Sequence, residues 1–284
     1  ADVAMIAPLG MPLVTYSYGA VANTLIDVYQ PGLLDHIPLV TIRDGALEDL
    51  LSNGVLPAVG LTRQDLAAGK LAEALPASDP SYDVVWYLYP PRTGEREVHA
   101  AFQAAGYIRI YRKLYDDPRY RIWLDLYARP GARIGTEIPV NGQFLDDARG
   151  WARPDQGVAL TSDGEGNVLT VSNTARLGTT VMRDLPARGE GVYALVAEAQ
   201  TSLPTNMVQI AVACLDQGGE TIAASASEAP ATPPSPETWL ARPTAVWCPG
   251  ETTTVRISLT NLGNGDVAFR NISLSFLPIS RSEP

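Results

Sequence analysis

Between residues 158 and 216 the chain reads VALTS (158–162), NVLTVSN (167–173), TTVMRDL (179–185), VYALVAEAQT (192–201) and MVQIAVACLD (207–216), with polar or Gly-containing breaks between the runs. Each run is short, rich in Val, Thr and Ala, and alternates apolar with polar residues closely enough to put its apolar side chains on one face of an extended chain. TVRISLTN (254–261) and VAFRNISLSF (267–276) continue the series. Their spacing predicts a sandwich of two sheets. SEAPATPPSPE (227–237) breaks the series with four prolines, and because proline cannot donate to a strand ladder this segment reads as a surface loop.

Upstream of residue 130 the pattern changes. VAMIAPL (3–9) and PLVTYSYG (12–19) are β-rich runs split at Gly10, and NTLIDVYQPGLLDH (23–36) is apolar at helical spacing with Asn23 placed to cap it. IPLVTIRD (37–44) reads as a buried strand. Thr62 precedes RQDLAAGKLAEAL (63–75), where Leu66, Ala67, Leu71 and Leu75 share one helical face and Pro76 follows as a stop. YDVVWYLYP (82–90) is the next strand, and EREVHAAFQAAG (95–106) is a helix that buries Val98, Phe102 and Ala105 and ends at Gly106. Residues 107–129 alternate on both sides of Asp116-Asp117-Pro118, as a hairpin does. Strands alternating with helices and then a hairpin predict a three-layer α/β domain whose sheet is mostly parallel. No G-x-G-x-x-G or G-x-x-x-x-G-K-[ST] loop accompanies Gly10 or Gly19, so a nucleotide site lacks its usual sequence support.

The Pro- and Gly-containing stretch PGARIGTEIPV (130–140) separates the two patterns. The expected organisation is an α/β domain over 1–130, a linker over 131–139 and an all-β sandwich over 140–284. A length of 284 residues accommodates two such cores. The net charge of −10 repels phosphate backbones and argues against nucleic acid as a partner. No apolar run reaches the roughly 20 residues a membrane helix needs, and the first residues lack the basic start and apolar core of a signal peptide. The start at Ala1, going straight into an apolar run, is expected to mark a segment excised from something longer. Cys214 and Cys248 both lie in the β-rich half. Adjacent strands could bring them into a bridge, which would imply an oxidising compartment; two buried free thiols are the other reading.

Four stretches carry a resemblance to a known family: NGQFLDDARGW (141–151), RDLPARGEGVYALVAEAQT (183–201), ETWLARPTAVWCPGETTTVRISL (237–259) and GDVAFRNISLSF (265–276). Together they resemble the carbohydrate-binding modules of the family 4/9 type over residues 138–284, which implies a jelly roll with glycan as its partner. That family often holds a structural calcium through an acid after the first Phe and another in the last strand. Here those places hold Leu145 and Asn271, so only Asp146 or Asp147 offers a replacement, by a shift of register. Residues 1–130 resemble the extracytoplasmic C-terminal region of lipid-linked-sugar glycosyltransferases of the family 39 or arabinosyltransferase-like type, through YDVVWYLYP, AFQAAGY (101–107) and LDLYAR (124–129). That resemblance implies a membrane domain and catalytic acids located before Ala1.

The residues themselves show no catalytic signature. His36 and His99 are the only histidines and have no ligand spacing for zinc, and no G-x-S-x-G marks a serine nucleophile. Asp35, Asp44, Glu48, Asp79 and Asp83 are loop acids from which a glycosidase pair could in principle be drawn. Aromatic side chains are the natural platform for a pyranose face. Trp247 is the first candidate and Tyr193 the second; Trp151 and Trp239 also qualify, although their family counterparts generally pack the core. Asn271-Ile272-Ser273 fits an N-glycosylation acceptor but falls inside a run read as strand. The function expected is a non-catalytic, extracytoplasmic, membrane-tethered region that binds glycan or glycolipid, or docks and spaces a glycosyltransferase. Its rivals are a secreted hydrolase with an appended binding module and a sandwich with no ligand.

Overall fold

The structure is a computed structural model. It describes residues 13–16, 39–43, 59–89, 95–117, 120–129, 132, and 134–278 apart from 146, 155, 163–165, 174–177, 204–206 and 228–237. The expected helix over 23–36, together with His36, Asp35, Asp44, Glu48 and most of the proline-rich loop, lies outside the described residues. The chain divides into two compact units, with the division between Arg133 and Ile134.

In the first unit, β1 (Leu13–Tyr16), β2 (Leu39–Arg43), β3 (Val59–Thr62), β4 (Val84–Tyr89), β5 (Ile108–Asp117) and β6 (Tyr120–Ala128) form one sheet in the order β3-β2-β1-β4-β6-β5. The pairs β3–β2, β2–β1 and β1–β4 are parallel, whereas β4–β6 and β6–β5 are antiparallel. All six residues of β4 are buried, which is why VVWYLY reads as an unbroken apolar run. Helices α1 (Arg63–Ala67), α2 (Leu71–Ala74) and α3 (Glu95–Ala104) supply Leu66, Leu71, Val98 and Phe102 to a core shared with Val14, Ile42, Val85 and Tyr87 of the sheet.

The single helix expected over 63–75 is two short ones. Thr62 and Asp65 close a capping box at its start. Gly69, at φ +77, then ends α1: its N–H reaches the Leu66 carbonyl at 3.1 Å, and Lys70 N–H reaches that of Asp65 at 2.9 Å. That pair of bonds is a Schellman stop, which the leucine spacing alone does not reveal. Gly106, at φ +85, ends α3 where expected.

The second unit is a sandwich. Its strands are β7 (Thr136–Ile138), β8 (Val158–Ser162), β9 (Asn167–Ser172), β10 (Thr179–Pro186), β11 (Gly191–Thr201), β12 (Val208–Leu215), β13 (Thr221–Ala226), β14 (Leu240–Cys248), β15 (Thr254–Asn261) and β16 (Asp266–Pro278). One sheet runs β14-β11-β16-β9-β8, with β7 also on β16; the other runs β10-β15-β12-β13. The pairings are nested: β9 with β16, β10 with β15, β11 with β14, and β12 with β13. Folding one long hairpin over on itself produces that nesting, and it defines a jelly roll. Alternate residues fill the space between the sheets, among them Leu169, Tyr193, Leu195, Ile210, Ile257 and Phe269.

Three strands of the sandwich escape the sequence pattern. β7 lies inside the stretch 131–139 read as a linker, where only three residues pair with β16 and show no alternation to read. β14 contains Pro243, which is tolerated because β14 is an edge strand. β13 reads TIAASA, with β-branched residues only at its first two positions and no aromatic, and also lies at an edge. Cys214 in β12 and Cys248 at the end of β14 are joined by a disulfide that ties one sheet to the other.

Candidate functional site

A groove runs along β16 of the sandwich. It begins with an irregularity in the strand. Val196 of β11 pairs with Ser273, but Glu198 pairs with Arg270, so β16 carries one extra residue over that step. Asn271 takes the strain at φ +50, which turns its side chain outward. The opening loop lies against this bulge. Ile272 N–H donates to the Gly142 carbonyl at 3.2 Å, and a Cβ on Gly142 would come within 1.7 Å of the Ile272 carbonyl oxygen. Only glycine allows that approach.

The rest of the loop is held locally. Asn141 Nδ2 donates to the Asp147 carbonyl at 2.9 Å, and Asn167 Nδ2 donates to that of Phe144 at the same distance. Phe144 is buried beside Trp151, whereas its neighbour Leu145 is 75% exposed.

Two adjoining depressions result, of about 480 and 220 Å³. Gln143, Leu145 and Asn271 line both. Pro139 and Ser273 stand at one end, and Asn167 and Arg270 at the other. Arg270 links the groove to an aromatic ring, its guanidinium lying 4.1 Å from the centre of the Trp239 ring. Its Nε donates to Glu198 Oε2 at 2.8 Å, and Asn271 Nδ2 donates to the same oxygen at 3.1 Å. A half-buried indole held by an ion pair beside a trough of amide groups offers a π-face together with hydroxyl partners.

The aromatic residues chosen from sequence therefore separate. Trp239 lines neither depression and meets the groove only through Arg270, which does. Tyr193, expected as a platform, is fully buried; its hydroxyl accepts from Arg188 N–H at 2.6 Å and donates to the Gly189 carbonyl at 3.1 Å, so it tethers the preceding turn. Burial raises the pKa of that hydroxyl. Trp151 is 5% exposed and packs in the core. Trp247 is half-buried and lies opposite Val192 on the sheet face turned away from the core. Its companions there, Val192, Ala245 and Leu277, are buried, and this patch is not part of the groove.

The outer face of the four-stranded sheet carries Met182, Gln209, Ala211, Ala213 and Ser258, with Asp184 and Arg256 paired through two 2.7 Å bonds. It presents no aromatic ring among the described residues.

The replacement calcium ligands are not assembled. Asp146 lies outside the described residues, and Asp147 is exposed. No group of three or more His, Cys, Asp or Glu side chains converges among the described residues. The loop acids that are described have local roles: Asp79 accepts from Ser81 N–H and hydroxyl at 2.9 and 2.7 Å, and Asp83 faces Arg129 at 3.6 Å. The Ser81 hydroxyl and backbone lower the Asp79 pKa. His99 shares a 2.9 Å hydrogen bond with the Tyr127 hydroxyl.

Sequence reasoning did not assemble Gln143, Glu198 and Arg270 into a site. The signal lies in FRNIS (269–273), where the inward residues Phe269 and Ile272 are three positions apart instead of two.

No protein-family model and no curated protein matches the chain. Solved structures with partial similarity include a family 16 carbohydrate-binding module at 14% identity, covering 48% of this chain and 96% of that one with a TM-score of 0.38. A family 22 module of Clostridium thermocellum Xyn10B is 15% identical, covering 51% and 100% with a TM-score of 0.37. The enzymatically active domain of bacteriophage CBA120 tailspike protein 4 is 15% identical with a TM-score of 0.40; the similarity covers 50% of this chain and 21% of the tailspike. The jelly-roll assignment rests on the strand pairings described above.

Proposed function

We propose that the second unit is a glycan-binding module and that the chain performs no turnover of its own. The observation that carries this reading is the placement of Trp239, clasped by the Arg270–Glu198 pair, beside an open groove lined by Gln143, Asn167 and Asn271. The indole supplies the stacking face, and the amides and Glu198 meet hydroxyls. An open surface groove with few stacking contacts supports affinities of roughly 10 µM to 1 mM.

An extracytoplasmic setting is supported by the Cys214–Cys248 bridge, since such bridges persist in oxidising compartments. Within the same reading the first unit is a three-layer α/β domain, to which its parallel strands and its helix-covered face lend support. It would stand after the membrane part of a glycosyltransferase and dock the sandwich near it.

A glycan array followed by calorimetry on the intact chain tests the proposal. Trp239→Ala should weaken binding by about tenfold or more, the loss of roughly one stacking contact, while Trp247→Ala leaves it unchanged. Loss with Trp247→Ala alone would reject this groove. Silence across the array would favour a sandwich that only spaces its neighbours, and release of reducing sugar would overturn the non-catalytic reading.

A further inference from the structure

The first unit contains a buried charge cluster that the proposed glycan site does not use. Asp125 of β6 is 1% exposed and is the only buried carboxylate among the described residues. Its side chain lies on the α3 side of the sheet, together with Trp123 and Tyr127 of its own strand. The titratable and charged groups around it come from three further elements: Tyr87 and Tyr89 from β4, Arg109 and Arg112 from β5, and Glu95 and His99 from α3.

The carboxylate is held loosely. Oδ2 accepts from the Tyr89 hydroxyl at 3.1 Å and lies 3.5 Å from Arg109 Nη1. Oδ1 faces Arg112 Nε at 3.4 Å, and neither of these two buried atoms has a hydrogen-bond partner. Two long ion pairs and one neutral hydrogen bond compensate desolvation of a full charge poorly. Arg112 has a second, tighter set of partners: its Nη2 donates to Glu95 and to the Tyr89 hydroxyl, and its guanidinium lies 4.1 Å from the centre of the Trp123 ring. Arg112 therefore stands between an interior acid and a surface acid on the helix.

We propose that Asp125 is a proton-operated latch between β6 and β5. Ionised, it balances Arg109 and Arg112 and holds Arg112 inward across the strand. Protonated, it leaves Arg112 to Glu95 and the Trp123 ring, and the ion-pair hold of β6 on β5 relaxes. The direction of titration agrees with the geometry, because burial pushes the Asp125 carboxyl up to about 6 against the opposing pull of Arg112 and Arg109. The change falls between neutral and mildly acidic conditions, where an unperturbed aspartate would stay ionised.

Trp123 is a built-in reporter, since the guanidinium that moves lies on its ring. The tryptophan fluorescence of the intact chain, taken as wild type minus Trp123→Phe, should change in one step with a midpoint near pH 6. Asp125→Asn should abolish the step. His99→Gln should keep it, which separates Asp125 from the neighbouring imidazole. A step lost with His99→Gln and kept with Asp125→Asn would overturn the proposal, as would a signal flat from pH 4.5 to 8. Should Asp125→Asn fail to fold, carbon-13 titration of the Asp125 carboxyl in the wild-type chain decides: a midpoint near 6 supports the latch, and one below 5 refutes it.

Discussion

Reducing the Cys214–Cys248 bridge changes no side-chain volume by more than two hydrogens, yet it frees a long loop of the unfolded chain. The two residues are 34 apart in sequence. In the chain-entropy treatment a loop of that length is worth about 4 kcal/mol at 25 °C. The sandwich spans Ile134–Ile279, so its unfolding entropy near the midpoint is roughly 0.3 kcal/mol/K at about 2.1 cal/mol/K per residue. Dividing the first figure by the second gives a fall in Tm of about 13 °C. Both sulfurs are fully buried, so reductant added to the folded chain should act slowly, at the rate at which the sandwich opens. Calorimetry on the intact chain, once as purified and once after unfolding and refolding with a phosphine reductant, measures the difference. A shift of the sandwich transition by less than about 3 °C would refute the entropic reasoning.

Gly142→Ala should destabilise the sandwich by about 2 to 3 kcal/mol, since its methyl would collide with the Ile272 backbone. Gly250→Ala, whose added methyl meets an ordinary 3.6 Å contact, should be neutral in the same urea titration. Residues 134–279 expressed alone should unfold cooperatively with an all-β circular dichroism spectrum, because the pairings of β7 through β16 close within that span; an insoluble fragment would argue that the two units fold as one.

Most strands were legible because their alternation follows directly from which face is buried. β11, β12, β15 and β16 each show it, and the sandwich class followed from their spacing. Their nesting was not legible from alternation: an antiparallel strand such as β11 carries the same pattern whether its neighbours are β14 and β16 or any others. β14 was hidden by Pro243, a residue that argues against a strand until its edge position is known.

The aromatic candidates separate for a different reason. Trp247 and Trp239 are eight positions apart, and sequence alone does not say that one sits near the end of β14 among apolar neighbours while the other meets Arg270 just before β14 begins. Tyr193 alternates like a core residue, and its hydroxyl finds partners in the turn five and four residues before it. Those partners let a polar tip be buried without cost to the core. Leu145 and Asn271 were noticed for the ligands they are not. Their use in the groove appears only once the extra residue in β16 is placed.

The pairing of β7 with β16 has a mechanical consequence. Thr136 lies opposite Phe276, and Ile138 opposite Leu274, in an antiparallel ladder. The polypeptide thus comes into the sandwich and departs from it on neighbouring tracks at the same rim. Tension applied through the backbone on either side would load this short ladder as a zip, one hydrogen bond at a time, and strip β7 away before the shear strength of the longer strands is engaged. The same geometry makes the sandwich a cassette: a host loop whose two stumps lie one strand spacing apart, about 4.8 Å, could receive it without stretching either end.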